Sequence, residues 1–102
     1  MIARLPKNRP PTYPGEVLHE EFLLPYGMTQ KELARRIGVS YPRINELIHG
    51  KRGVTPDTAL RLSRLFGTTP EFWLNLQQAY DLYRARQRAS HQDIEPLRKS
   101  AV

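Results

Sequence analysis

Cysteine is absent from this 102-residue chain, which excludes disulfides and metal sites built on thiolates. No apolar run approaches the ~20 residues that a membrane-spanning helix needs. The N-terminal stretch MIARLPKNRPPTYPG also lacks the apolar segment of a signal peptide. Because a chain this short can hold one modest core, we expect a single soluble domain in the cytoplasm.

Groups of residues that carry out catalysis are also missing. The histidines His19, His49 and His91 lie far apart and lack the spacing of metal ligands. No strand pattern precedes a glycine-rich phosphate loop, and no nucleophile is paired with a base. The sequence therefore predicts no enzymatic activity, no metal and no cofactor.

Charge is unevenly distributed along the chain, whose net charge is +6. Residues 1–14 carry three cations and no acid, whereas residues 15–28 carry three acids and no lysine or arginine. Residues 29–53 then carry six cations against two acids. Because a small basic domain often binds a polyanion, this segment is the first place to look for a binding surface.

Capping residues, prolines and glycines divide the chain into helices. Residues 1–13 are proline-rich and predict an extended, flexible basic arm. A first helix is expected from Gly15 to about Leu24, ended by Pro25 and Gly27. The second is expected to begin at a capping box formed by Thr29 and Glu32 and to end at Gly38.

Three further helices follow the same rules of capping. They are expected after Ser40, after Thr55-Pro56, and from Thr69-Pro70 to about Arg88. Gly50 and Gly67 would end the third and fourth helices. The result is an all-α fold of five helices, with one domain over residues 14–89 and a polar tail over residues 90–102.

The stretch TQKELARRIGVSYPRINEL, residues 29–47, predicts a helix-turn-helix, because two helices are joined by a tight turn at Gly38. Ala34 is small where the helices must approach each other, and apolar residues lie where the pair packs on the body. A plain helical hairpin in a bundle is the alternative. The third helix is expected to expose Ser40, Tyr41, Pro42, Arg43, Asn45 and Glu46.

Residues 29–67 resemble the Cro/C1-type (XRE-like) helix-turn-helix repressor domain, which has the lambda-repressor-like fold. Together with "PGEVLHEEFL" and "GVTPDTALRLSRLFGTTPEFWLNLQQAYDL", the chain resembles the HigA-type (VapI-like) antitoxins over residues 14–84. The resemblance implies binding of double-stranded operator DNA in the protein's own promoter, as an autorepressor. It also implies neutralisation of a toxin protein, a RelE-like ribonuclease that cleaves mRNA.

A helix-turn-helix of this family implies a third helix in the major groove, with phosphate and base contacts near its N-terminus. Arg43 is the candidate for guanine, with a phosphate as its alternative, and Glu46 either accepts from cytosine or is simply solvated. Lys51 and Arg52 meet phosphate or form an ordinary basic turn. The predicted DNA-binding residues are Gln30, Ser40, Tyr41, Arg43, Asn45, Glu46, Lys51 and Arg52.

The fifth helix carries a broad apolar stripe whose distal part is expected to extend beyond the body of the domain. Leu76, Tyr80 and Tyr83 are therefore the predicted interface of a homodimer, and burial of the whole stripe within one chain is the alternative. The basic arm could reach an adjacent groove, engage a toxin or have no role. Two other functions remain open: a stand-alone or phage-type repressor without a toxin, and an interaction adaptor that does not bind DNA.

Overall fold

The computed structural model describes residues 11–88 and 90–97, and in these ranges the chain is helical with no strand. Residues 1–10 of the expected flexible arm, 1–13, and residues 98–102 of the expected polar tail, 90–102, lie outside the described residues. Within the described ranges there are five helices, as the sequence predicts. They are α1 (residues 14–26), α2 (Gln30–Ile37), α3 (Tyr41–Ile48), α4 (Pro56–Phe66) and α5 (Pro70–Arg86), followed by a 3-10 helix, Ser90–Asp93.

Helix α1 is longer than the sequence predicts, because Pro25 lies inside it. Its three successive segments are the α-helical Pro14–Val17, the π-helical Leu18–Leu23 and the α-helical Leu24–Tyr26. A proline inside an α-helix clashes with the carbonyl four residues before it. The wider turns of the π-helical segment end two residues before Pro25, and the chain continues through the proline into the last helical turn. The helix ends instead at Gly27, whose φ is 64°.

Hydroxyl caps begin four of the helices where the sequence places them. The side chains of Thr29, Ser40, Thr55 and Thr69 each accept a hydrogen bond from the backbone N–H three residues later, at 3.0–3.3 Å. These bonds satisfy donors that have no partner within the helix. The N-termini of α2 to α5 are therefore fixed by local chemistry.

The capping box predicted at the start of α2 forms only in part. Thr29 accepts from the backbone N–H of Glu32, but the Glu32 carboxylate accepts from Arg36 at 2.7 Å and from Arg35 at 2.8 Å. Hydrogen bonds from a guanidinium to a carboxylate are stronger than one from a neutral backbone N–H. The bonds from Arg36 and then Arg35 lower the pKa of Glu32.

The core is built around Trp73, which is fully buried and donates from its indole Nε1 to the Thr68 hydroxyl at 2.8 Å. Phe22 packs on Trp73 and on Phe66, with ring centroids 5.2 and 4.8 Å apart. All five helices contribute apolar side chains to this cluster. Its largest fully buried members are Trp73, Leu18, Leu23, Leu33, Ile44 and Leu62.

The start of α1 packs closely against the end of α3. The Tyr13 phenol donates to the Ile48 carbonyl at 3.0 Å, and its ring lies 5.7 Å from that of Tyr80. Burial, followed by the charge of Glu16, raises the pKa of Tyr13, so the phenol keeps the proton that it donates. A Cβ at Gly15 would lie 1.9 Å from the Leu47 carbonyl oxygen, so only glycine permits this approach.

Candidate nucleic-acid interface

Helices α2 and α3 form the predicted helix-turn-helix. Gly38 has a φ of 74°, and its N–H and that of Val39 both donate to the Ala34 carbonyl, at 2.9 and 3.0 Å. This pattern ends α2 abruptly and turns the chain into Ser40, which caps α3. Ile44, Leu47 and Ile48 are buried on one side of α3, as the sequence predicts.

Arg61 of α4 contacts the end of α2 at this turn, which the sequence does not predict. Its guanidinium donates from Nη1 to the Ile37 carbonyl at 2.7 Å, and from Nε to the Asp57 carboxylate at 2.9 Å. A carbonyl at a helix C-terminus lacks an intrahelical partner, so this contact stabilises the end of α2. The Asp57–Arg61 pair at i,i+4 is visible in the sequence, but the carbonyl that Arg61 reaches is not.

The polar side of α3 is less exposed than expected. Ser40, Tyr41 and Pro42 are exposed, whereas Arg43, Asn45 and Glu46 are half-buried. The expectation that all six residues are exposed is therefore met only in part by the last three. Each of them has a hydrogen-bonding partner elsewhere in the domain.

Arg43 turns toward α4. Its Nη2 donates to the Thr58 hydroxyl at 3.2 Å, and that hydroxyl also accepts from Thr55 at 3.2 Å. The Nε of Arg43 is buried and has no hydrogen-bond partner among the described residues. A guanidine has five donors, so the contact with Thr58 uses only part of its capacity.

Gln30 and Asn45, two of the predicted DNA-binding residues, are joined to each other. Asn45 Nδ2 donates to Gln30 Oε1 at 3.0 Å, which ties the first turn of α2 to the middle of α3. Lys31, which the sequence did not single out, lies with its Nζ 5.7 Å from the centre of the Tyr41 ring. The first turns of both helices therefore share one surface.

Glu46 and Arg52 form an ion pair of 2.9 Å between α3 and the loop that follows it. Glu46 is therefore more than a solvated side chain, and a cytosine would have to share its carboxylate with a guanidinium. Lys51 and Arg52 are both exposed in that loop. All eight predicted residues thus lie on α3, on the start of α2 or in the loop after α3.

Comparison with known proteins identifies the family. The chain matches the family model described as helix-turn-helix over residues 20–73. It is 51% identical over 82 residues to virulence-associated protein I of Dichelobacter nodosus, covering 79% of this chain and 76% of that protein. It is 47% identical over 93 residues to antitoxin HigA-1 of Vibrio cholerae, covering 88% of this chain and 87% of that one.

The chain belongs to the HigA-type antitoxins of the helix-turn-helix family. Its fold agrees with a solved structure of the Pseudomonas aeruginosa antitoxin HigA with the higBA promoter. The TM-score is 0.80 and the identity 41%, over 85% of this chain and 98% of that one. The antitoxins and transcriptional regulators that it matches are not enzymes, in agreement with the prediction from the sequence.

In this HigA-type chain the distal part of the apolar stripe on α5 is more buried than the sequence predicts. Leu76 packs against the core, and Tyr80 is half-buried under the ring of Tyr13. The expectation that Tyr80 extends beyond the reach of the body is wrong, because Tyr13, the residue before α1, packs against its ring. Tyr83, one turn further on, is also half-buried.

A different face of α5 is exposed. Leu74, Gln78, Leu82 and Ala85 line a shallow groove of about 410 Å³, which we name the α5 groove, and Leu82 is 43% exposed. Its residues recur every three or four positions, which is the spacing of one helix face.

Among the helices described, none has the length and apolar character that crossing a membrane requires.

Proposed function

We propose that this protein is an antitoxin that binds the operator in its own promoter as a repressor and neutralises a RelE-like, mRNA-cleaving toxin. The observation that carries the proposal is the presentation of α3. Its apolar side is buried against the core, and its capped N-terminus, with Ser40 and Tyr41, is open to solvent. That arrangement suits insertion into the major groove, where the first residues of such a helix reach base edges.

Six of the eight predicted DNA contacts take a part in this proposal that fits their positions. Ser40 and Tyr41 would contact the DNA directly, because both are exposed at the start of α3. Gln30, Lys51 and Arg52 would bond backbone phosphates and fix the register of the helix. Arg43 would read a base or a phosphate with the donors that Thr58 does not engage.

A two-fold dimer completes the DNA-binding unit. We place its contact at the α5 groove, because Leu82 and Ala85 are exposed there whereas Leu76 and Tyr80 are engaged within the protomer. A symmetric pair would present two α3 helices to half-sites one helical turn apart, about 34–36 Å. A palindromic operator is the expected target. A repressor works in the compartment that holds its promoter, which supports a cytoplasmic protein.

The toxin partner rests on family membership, and no surface is assigned to it. Purification of the tagged chain from its own cells, with analysis of both bound DNA and bound protein, tests both parts. We expect promoter DNA together with a small basic protein encoded beside the antitoxin gene. Recovery of promoter DNA without such a protein would favour the stand-alone repressor.

Titration of the promoter duplex at several salt concentrations separates DNA binding from an adaptor role. For a DNA-binding protein, log affinity falls against log salt with a slope of about −0.9 for each phosphate neutralised. A shuffled duplex of the same length and composition serves as the control, and it should bind more weakly with a similar salt dependence. An adaptor would bind neither duplex in a salt-dependent way.

A further inference from the structure

A basic cleft of about 370 Å³ lies between the loop after α3 and the C-terminal half of α5. Its lining includes four cationic side chains, Lys51, Arg52, Arg84 and Arg88, but a single acid, Asp81. Tyr13 and Tyr80 line it as well. Two of the cations belong to the predicted DNA-binding residues, and the other two, Arg84 of α5 and Arg88 just after its end, have no role in the proposed function.

Arg84 is held in place at this cleft. Its Nη1 donates to the Tyr80 hydroxyl at 3.0 Å, and its guanidinium carbon lies 5.7 Å from the centre of the Tyr80 ring. Tyr80 packs on Tyr13, whose phenol bonds to the Ile48 carbonyl in the last turn of α3. A continuous chain of contacts therefore connects Arg84 to the recognition helix α3.

The helix dipole alone does not explain this arrangement. The dipole favours a cation in the last turn of a helix, and both Arg84 and Arg86 lie there, but Arg86 does not line the cleft. Arg84 and Arg88 instead share a concave surface with two cations from another part of the chain. Arg52 is paired with Glu46, so the repulsion falls mainly among the other three cations of the cleft. Grouping like charges costs free energy, and a bound anion would offset that cost.

We propose that this cleft binds phosphate of the DNA backbone, so that α5 extends the DNA contact beyond the helix-turn-helix. The inference rests on the proposed function and adds Arg84 and Arg88 to the residues that hold the duplex. Lys51 and Arg52 line the cleft and belong to the predicted phosphate-binding loop, which makes the two surfaces continuous. An exposed, ordered guanidinium is well suited to a phosphate because its fork matches two oxygens.

The position of the cleft also fits the proposed dimer. Gln77, Asp81 and Ala85 border both the cleft and the α5 groove. A dimer joined through the α5 groove therefore carries one cleft on each side of its two-fold axis. The added phosphate contacts would then lie toward the centre of the operator, between the two half-sites.

The test compares the double variant Arg84→Gln, Arg88→Gln with a control double variant, Arg64→Gln, Arg86→Gln. The two changes remove the same charge, and neither Arg64 nor Arg86 lines the cleft. Affinity for the promoter duplex and for a shuffled duplex is measured over a series of salt concentrations. We expect the magnitude of the salt slope to fall by about 0.9 for each phosphate lost, and only in the cleft variant.

The ratio of the two affinities should stay constant, because phosphate contacts carry no sequence information. Equal slopes in the cleft variant and the control would overturn the inference while leaving the proposed function intact. A wild-type protein whose binding to both duplexes is insensitive to salt would overturn the proposed function itself. Sedimentation of both variants measures their oligomeric state, so a reduced salt slope in a variant that remains dimeric is assigned to lost phosphate contacts.

A single-residue variant tests whether a weaker DNA interaction arises from altered folding. Arg88→Gln keeps the hydrogen bond between Arg84 and Tyr80, so the anchoring of the cleft is unchanged. We expect it to reduce the salt slope in the same direction as the double variant, with an unchanged thermal unfolding midpoint. A slope equal to that of the wild type in this folded variant would count against Arg88 as a phosphate contact.

Discussion

The guanidinium of Arg43 lies against the side chain of Thr58, with Nη2 donating to the hydroxyl at 3.2 Å. Thr58 is 4% exposed and belongs to the first turn of α4, so this bond connects the recognition helix α3 to the helix behind it. The relationship makes Arg43 a support for α3 as well as a candidate to read DNA. A single substitution at Arg43 would therefore alter both properties.

Arg43→Ala should weaken promoter binding and relax the preference at one base pair, by about 1–3 kcal/mol. It should also lower the free energy of unfolding by about 0.5–1.5 kcal/mol, because the Thr58 bond is lost. Affinity for duplexes changed at one position at a time measures the first effect, and urea unfolding measures the second. Thr58→Val keeps the guanidinium and removes this bond together with the one from Thr55, so its loss of stability sets an upper bound for the Arg43 bond.

Lys51→Ala is the matched variant for phosphate contact. It should weaken all duplexes by a similar factor and reduce the salt slope by about 0.9. Equal losses in Arg43→Ala and Lys51→Ala on every duplex would contradict base reading by Arg43 and leave it as a phosphate contact.

Leu82→Glu should convert the proposed dimer to a monomer, because it places a charge in the centre of the α5 groove. Tyr80→Ala should leave the dimer intact and lower the free energy of unfolding by about 0.5–3 kcal/mol, since its ring packs on Tyr13. Sedimentation at micromolar concentration and urea unfolding distinguish the two. A dimer that persists in Leu82→Glu but is lost in Tyr80→Ala would instead support the interface expected from the sequence, at Leu76, Tyr80 and Tyr83.

Gly15→Ala should destabilise the protein by about 1–3 kcal/mol and also weaken promoter binding. Its added Cβ would meet the backbone of Leu47, so either α1 or the last turn of α3 has to shift. Gly27→Ala is the control, because its Cβ would meet no atom within 4 Å and only its φ of 64° is unfavourable. We expect a loss of about 1–2 kcal/mol there, with unchanged promoter affinity.

Glu32→Gln should change the dependence of stability on pH. The pKa of Glu32 is lowered in the folded protein by the bonds from Arg36 and then Arg35, so its pairing stabilises the fold above the unfolded pKa, about 4.3. That contribution is lost as the pH falls through the lower, folded pKa. Urea unfolding of both proteins from neutral to acidic pH should show their difference shrinking, and a constant difference would contradict the pairing.

The sequence by itself determined the helices and the turn between α2 and α3. Hydroxyl caps, prolines at first positions and glycines at helix ends act over three or four residues, so their effect can be read along the chain. The periodicity of Ile44, Leu47 and Ile48 likewise placed the buried side of α3. The same local rules place the residues expected to bind DNA on α3, at the start of α2 and in the loop after α3.

Only the tertiary structure decided which polar groups are already engaged. Arg43 reaches Thr58, Asn45 reaches Gln30, and the ring of Tyr80 is covered by Tyr13. These partners are separated by 15 residues or more along the chain, so no local pattern pairs them. Their meeting depends on how the helices pack, and packing brings distant side chains together according to shape and volume.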